Sequence, residues 1–362
     1  MALYEVRRYW SSGEPIDIIT AMESIDVTRL EGDIGKLTFT LPYNSLFAAS
    51  IEKMQELQVY RKGKQQFDTR YLVKNWREYT DDQGMRKVSV YAEDLNSLLW
   101  TRIVAYAAGS QQADKTGAAD DMMKAIVREN MGTLATADRQ IAGLVVDPDF
   151  GDGRSVKKAF AWQPVGSVLQ GLSEMTRKDD VPVLFDLHGS TIGRAQFSTY
   201  AGFLGNDRRR ATSTPLLIGE KYGNLEGSMA EHITSEEATA IYAGGQGQED
   251  ERIIKQAVDE SRIIAALPYG RIERFKDARN VEVEQSIEDQ AKEALGEAVP
   301  FVRVSGRLVE TAGCRYDIDF KWGDIVDVEA YGQITACRIA AVGLSYSGGD
   351  ERIDVKLEGI IK

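Results

Sequence analysis

The sequence predicts an α+β protein that is mainly β, with a helix-bearing segment between two strand-rich parts. Three observations carry this. "KLTFTLP" (Lys36–Pro42) alternates with period two, setting Leu37, Phe39 and Leu41 on one face and Lys36, Thr38 and Thr40 on the other. Apolar stripes of helical period are confined to the middle of the chain and one late segment. The closing stretch from Tyr316 to Gly359 reads as strand, turn, strand and long hairpin, and holds almost no side chain suited to chemistry.

In chain order, "ELQVY" (Glu56–Tyr60) is a strand, and "RKGKQQ" turns it into a second one within "FDTRYLVKNWREY" (Phe67–Tyr79). The polar turn "DDQG" (Asp81–Gly84) leads to "KVSVYAED" (Lys87–Asp94), and a short helix with Leu95, Leu98 and Leu99 on one stripe begins near Asp94. Thr116 is placed to cap a helix over 118–130, which buries Met122, Met123, Ile126 and Val127 and stops before Gly132. A second helix starts at Pro164, a favourable first-turn residue, and buries Val165, Val168, Leu169, Leu172 and Met175. "VPVLFDLHGSTIGRAQFSTY" (Val181–Tyr200) is a hairpin turning at Gly189, and "LGNDRRRATSTP" (Leu204–Pro215) reads as an exit linker with solvated Arg208, Arg209 and Arg210. Strands return from Leu216, interrupted by a helix over 284–299 with Ser286 as its N-cap. The expected division is 1–103, an α+β insertion over 104–215, and 216–362, with the first part able to recruit strands from about 216–245.

Two stretches echo each other. "ELQVY…RYLVKNWREYTDDQGMRKVSVYAEDL" and "GDIVDV…CRIAAVGLSYSGGDERIDVKLEG" share the order strand, turn, long strand, Gly-bearing turn, alternating strand. Residue identity between them is poor, and the common order points to an internal duplication.

Composition narrows the function. A 43% hydrophobic content supports packed cores, and a net charge of −12 argues against a protein that wraps nucleic acid, which needs clustered Lys and Arg. It leaves open one that lets nucleic acid pass. No apolar run is long enough to span a bilayer, and the N-terminal residues lack the apolar core of a signal peptide. Cys314 and Cys337 read as two buried thiols. His188 reads as a solvated turn residue, and neither it nor His232 stands at metal spacing from a partner. "DPDFGDGRSVKK" (Asp147–Lys158) departs from a calcium loop at its ligand and glycine positions and reads as a polar turn. "GGQGQEDER" (Gly244–Arg252) lacks the Lys-Ser/Thr of a phosphate loop and reads as a bend. No catalytic, cofactor-binding or metal-ligating residue is assigned, and no cofactor is expected.

The closing stretch, with the helix before it and the strand "FVRVSGRLVE", resembles the C-terminal part of siphophage tail-tip proteins. These are the baseplate-hub or tail-associated proteins related to the hub of contractile-tailed phages. Phe320, Gly323, Asp324, Val326 and Val328 match that family's F-x-x-G-D-x-V-x-V pattern, and Arg338 and Ile339 its following Arg-Ile. "GDIGKLTFTLPYN" (Gly32–Asn44) and "YAEDLNSLLWTRIV" (Tyr91–Val104) resemble its early segments. The resemblance implies two β-barrel-like tube domains per chain with an inserted α+β domain, and a homotrimeric, pseudo-sixfold ring that continues the tail tube. The implied location is the distal end of the virion tail, after synthesis in the host cytoplasm. The implied partners are a distal tail protein, a tape-measure protein and other tail-tip or receptor-binding proteins, with DNA only in transit. Lysin members carry an appended peptidase or glycosidase after the last hairpin, where this chain stops at Lys362, so the expectation is a non-enzyme. The alternatives are a tail-associated cell-wall hydrolase and a carbohydrate-binding adhesin, for which Trp162 and Tyr200 are the aromatics to consider.

Overall fold

In a computed structural model, residues 2–105, 113–160, 162–176, 181–247, 252–279 and 284–359 are described, and strand dominates helix. Contacts divide the described residues into a larger unit, within Met1–Met229 and Val304–Ile360, and a smaller one, within Ala230–Arg303.

The larger unit is built on one long sheet. Its strands run in the order Leu225–Ile233, Phe301–Leu308, Asp350–Gly359, Gln333–Ser347, Ser24–Leu30, Lys36–Pro42, Arg86–Asp94, Tyr71–Thr80, Glu56–Arg61, Tyr4–Tyr9 and Pro15–Ile19. The first two of these carry the chain into and out of the smaller unit. Among the described residues the path does not close on itself. Alternation does what it predicts: Leu37, Phe39, Val88, Val90, Val342 and Leu344 are buried on one face while their sequence neighbours are less so.

The same four-strand arrangement occurs twice in that order. In one copy Ser24–Leu30 and Lys36–Pro42 lead to the hairpin of Arg86–Asp94 and Tyr71–Thr80. In the other, Leu225–Ile233 and Phe301–Leu308 lead to the hairpin of Asp350–Gly359 and Gln333–Ser347. The hairpins match residue by residue. Val73 pairs with Ala92, Lys74 bulges, and Asn75 pairs with Tyr91; Ile339 pairs with Leu357, Ala340 bulges, and Ala341 pairs with Lys356. The strand before each hairpin matches too, since Glu56 and Leu57 oppose Leu72 and Tyr71 as Ile325 and Val326 oppose Arg338 and Cys337. The echo seen in sequence is thus a repeated structure, held by pairing register rather than by identity. A short turn joins the first two strands of one copy, whereas the smaller unit lies between them in the other.

The helical segment adds a second core to the larger unit. Helices Ala119–Asn130 and Val165–Thr176 bury Met122, Met123, Ile126, Val127, Val168, Leu169 and Leu172 with Phe185, Leu187 and Phe197 of the hairpin Val183–His188/Ala195–Ala201. Leu72, Leu95 and Leu99 belong to this same core. Thr116 does not cap the first helix, because it lies in the strand Ala113–Ala118, paired with Lys157. Ala118 is the N-cap there, and Asp120 and Asp121 supply the negative charge favoured in a first turn. Gly132 follows the helix as expected, its amide donating to the Val127 carbonyl.

The smaller unit has a three-stranded sheet, Ile254–Val258, Ala240–Gly244 and Glu273–Asp277, packed on the helix Glu284–Glu297 through Ile241, Ala243, Ala257, Ile287 and Ala291. That helix begins before Ser286, which is therefore inside it rather than at its N-cap. The bend expected over Gly244–Arg252 falls partly on residues 248–251, outside the described residues.

Candidate functional site

The seven motif residues lie together in the larger unit, in the turn before the Ile325–Ala330 strand, in that strand, and in the strand Gln333–Ser347 that pairs with it. Phe320, Gly323, Asp324, Val326, Val328, Arg338 and Ile339 are all buried. Val326 and Val328 occupy the positions that Leu57 and Val59 hold in the other repeat, all four inside the sheet's core.

Asp324 organises the turn. Its Oδ1 accepts the Asn206 amide at 2.7 Å, and its Oδ2 accepts Arg208 Nε at 2.6 Å and the Lys321 amide at 3.0 Å. The Gly323 amide donates to the Ile339 carbonyl, and the Ile339 amide donates to the Asp324 carbonyl. Close approach demands glycine here. Gly323 has φ +85°, and a side chain on it would strike Leu204, while one on Gly205 would strike the Asp324 carboxylate. The segment read as an exit linker is therefore strapped to the motif. Arg208 pairs with Asp324, the Arg210 amide donates to Asp327, and Asp207 bridges to Ile325. Arg209 pairs with Asp207 two residues away and the Arg210 side chain stays exposed as expected, so of the three arginines only Arg208 anchors the segment through its side chain.

Arg338 joins the motif to the first repeat. Its Nε lies 2.8 Å from a Glu31 carboxylate oxygen, and Glu358 lies beside it on the paired strand. Next to it is a buried cluster that sequence reading missed. Arg29 donates to Asp94 and, at 2.6 Å, to Asp186, and its guanidinium lies 4.8 Å from the centre of the Trp322 ring. Asn96 completes the cluster by donating to Asp186 and accepting the Leu187 amide. Burial, opposed by Arg29 and reinforced by Asp186, pushes the Asp94 carboxyl up to about 7. These groups come from positions 29, 94, 186 and 322, so no local pattern announces them.

A further ionic tie joins Arg61 to Glu310 at 2.9 Å and to Glu351 at 2.8 Å, with the Tyr4 hydroxyl donating to Glu351. Burial and the Glu351 charge hold the Tyr4 hydroxyl well above its ordinary range.

The residues weighed for chemistry have other work. His188 ends a strand rather than lying free in a turn: its Nδ1 is 3.3 Å from Asp68 and its Nε2 3.1 Å from the Ser198 hydroxyl. Burial works against the imidazolium, but the Asp68 hydrogen bond and the Asp186 charge outweigh it and raise the His188 pKa. The order Asp68–His188–Ser198 imitates a nucleophile relay, yet Ser198 is 4% exposed within a strand ladder, where it pairs with Asp186. Tyr200, beside His188, is half-buried, whereas Trp162 is exposed. The loop starting at Asp147 folds over the helix Ala119–Asn130. There the buried Lys124 ammonium bonds Asp120 at 2.9 Å and the Pro148 carbonyl at 2.7 Å, and faces the Phe150 ring. Cys314 and Cys337 are free and buried, and burial pushes both thiols up to about 12. Among the described residues no helix is long and apolar enough to cross a membrane.

Comparison with known proteins identifies what this arrangement is shared with. A family model described as Siphovirus ReqiPepy6 Gp37-like protein matches residues 12–357. No curated protein matches the sequence. A tail protein from Neisseria meningitidis MC58 has a similar fold, with a TM-score of 0.63 at 11% identity, covering 98% of this chain and 96% of that one. The 43 kDa tail protein of prophage MuSo2 from Shewanella oneidensis gives 0.60 at 12% identity, covering 98% of each chain. Prophage tail protein gp18 from Listeria monocytogenes EGD-e gives 0.54 at 14% identity, covering 98% of this chain and 94% of that one. At these identities the likeness is one of fold.

Proposed function

Because the chain belongs to the Siphovirus ReqiPepy6 Gp37-like family, we propose that it is the baseplate hub of a phage tail tip. It acts as a structural protein, not an enzyme, at the distal end of the tail. Three copies form a pseudo-sixfold ring that continues the tail tube, and DNA leaves through its channel. The repeated four-strand unit carries this reading. Two like units per chain make six in a trimer, which lets a threefold assembly meet a sixfold tube. In this reading each repeat is the core of a tube domain, 1–103 and 216–362, and the open strand path of the single chain closes into a barrel-like wall only in the ring. The 104–215 segment is the inserted domain.

The motif residues act on assembly through the fold. Buried Arg338, paired with Glu31, fixes where the second repeat sits against the first, while Asp324 holds the 206–208 segment onto the second, and that spacing sets the angle between successive units. The net charge of −12 suits a passage that repels DNA phosphates instead of holding them. Partners follow from the position: a distal tail protein and tape-measure protein above, and receptor-binding or other tail-tip proteins around it.

Gold-labelled antibody against the chain, applied to intact virions, tests this placement. Label confined to the tail end opposite the head supports it. Label along the shaft, or none on particles that contain the chain, overturns it.

A further inference from the structure

The three-stranded sheet of the smaller unit has two unlike faces. The helix Glu284–Glu297 covers the side that carries Ile241, Ala243 and Ala257. Alternation places Tyr242, Gly244, Ile254 and Phe275 on the opposite side. That side is open: Phe275 is 56% exposed and Ile254 46%. An exposed apolar patch rimmed by polar residues marks a place where something binds.

A glycine shapes the patch. Gly244 lies in the central strand between Ile254 and Asp277, and a side chain there would meet the tip of the Phe275 ring at 2.6 Å. Glycine inside a strand weakens it and marks a close approach. Phe275 itself pairs with Tyr242, so its ring leans one row along the sheet and lies across Gly244 instead of standing off the surface. Arg252 borders the ring, its guanidinium 5.0 Å from the ring centre and bonded to the Gly244 and Gly245 carbonyls at 3.0 Å.

The rim is polar, and its charges are satisfied. Arg252 donates to Asp277 at 2.8 Å, and Asp277 also accepts from Arg279. Arg271 donates to Glu273 at 2.6 Å and to the Tyr242 hydroxyl at 2.9 Å. Each of these arginines already faces a carboxylate, so a polyanion finds no free cation among them to neutralise. The pairs flank the aromatic rings and still offer donors and acceptors to solvent, because Arg271, Glu273 and Asp277 are exposed. A pyranose ring suits that combination. Its C–H face packs on a flat aromatic surface, and the hydroxyls around its edge take up fixed polar groups.

We propose that this face binds a neutral glycan, a pyranose ring stacking on Phe275 while the Arg252–Asp277 and Arg271–Glu273 pairs bond sugar hydroxyls. The inference goes beyond the hub reading and does not rest on it, because the face belongs to the smaller unit and the repeated strands are centred on the larger.

The test titrates the full chain by calorimetry with neutral oligosaccharides of glucose, of galactose and of N-acetylglucosamine, and with a thymidine oligonucleotide as the polyanion. A neutral series binds and the oligonucleotide does not. Phe275→Ala weakens sugar binding about tenfold or more, and Phe275→Tyr retains it. Trp162→Ala, which removes an exposed aromatic of the larger unit, leaves it unchanged. Because Phe275 is exposed, its alanine variant keeps the wild-type melting temperature, which separates lost binding from lost folding. Sugar binding that survives Phe275→Ala, or that is lost in Trp162→Ala, overturns the proposal. So does a chain that takes the oligonucleotide and no sugar, or one that binds no probe.

Discussion

Lys74 and Ala340 occupy one position in a repeated hairpin: each is the single residue left out of register between the start of a long strand and its outer half. A bulge bends its strand and sharpens the local twist. Placing it identically in both hairpins gives the two units the same curvature, which a ring of like units needs. The side chains at the site differ completely, Lys74 being partly exposed and paired with Glu93, and Ala340 buried. Geometry has been kept where chemistry has not.

The Asp324 strap is the first place where a single change should be felt. Asp324→Ala leaves Arg208 and the Asn206 and Lys321 amides without their common acceptor. Breaking a buried pair by removing one partner costs about 3–5 kcal/mol. Urea denaturation should show a loss of that order, with Arg208→Ala costing less because Arg208 is partly solvated. A loss below about 1 kcal/mol, the net worth of an ordinary hydrogen bond, would show that the strap is not structural.

Lys124 and Asp120 form a fully buried pair on one helix. Either Lys124→Met or Asp120→Leu alone strands a charge in the core, at about 3–5 kcal/mol. The double variant removes both charges and should be more stable than either single one. Additive losses in the double-variant cycle would mean the two groups do not compensate each other.

His188 should titrate above the ordinary histidine range because of Asp68. Since the folded-state value is raised, the stabilisation is fully present below the unfolded value near 6.5 and is lost as pH rises through the folded one. NMR titration of the His188 ring checks the value directly, and Asp68→Asn should lower it. An unchanged titration in that variant would exclude Asp68 as the cause.

Much of the fold is written locally. Lys36–Pro42 shows its two faces in seven residues, and Val165–Thr176 shows its stripe in three turns, so both are legible from periodicity. Thr116 misled because its hydroxyl suits a cap, but pairing with Lys157 claimed it for a strand. Arg208 looked solvated because its acceptor, Asp324, lies more than a hundred residues away in sequence. The Arg29, Asp94 and Asp186 cluster was silent for the same reason. His188 looked free because Asp68 is distant in sequence, and Ser198 faces it only once the hairpin forms. The motif from Phe320 to Ile339 was legible as a pattern, and its role as the clamp for the 204–210 strap was not.

The measurement that most directly tests the central claim is the native mass of the purified chain, with negative-stain class averages of the same sample. The account predicts a trimer whose averages show a central hole and a roughly hexagonal outline, six lobes from three chains. A monomer at every concentration, or a compact oligomer without a channel, would contradict it.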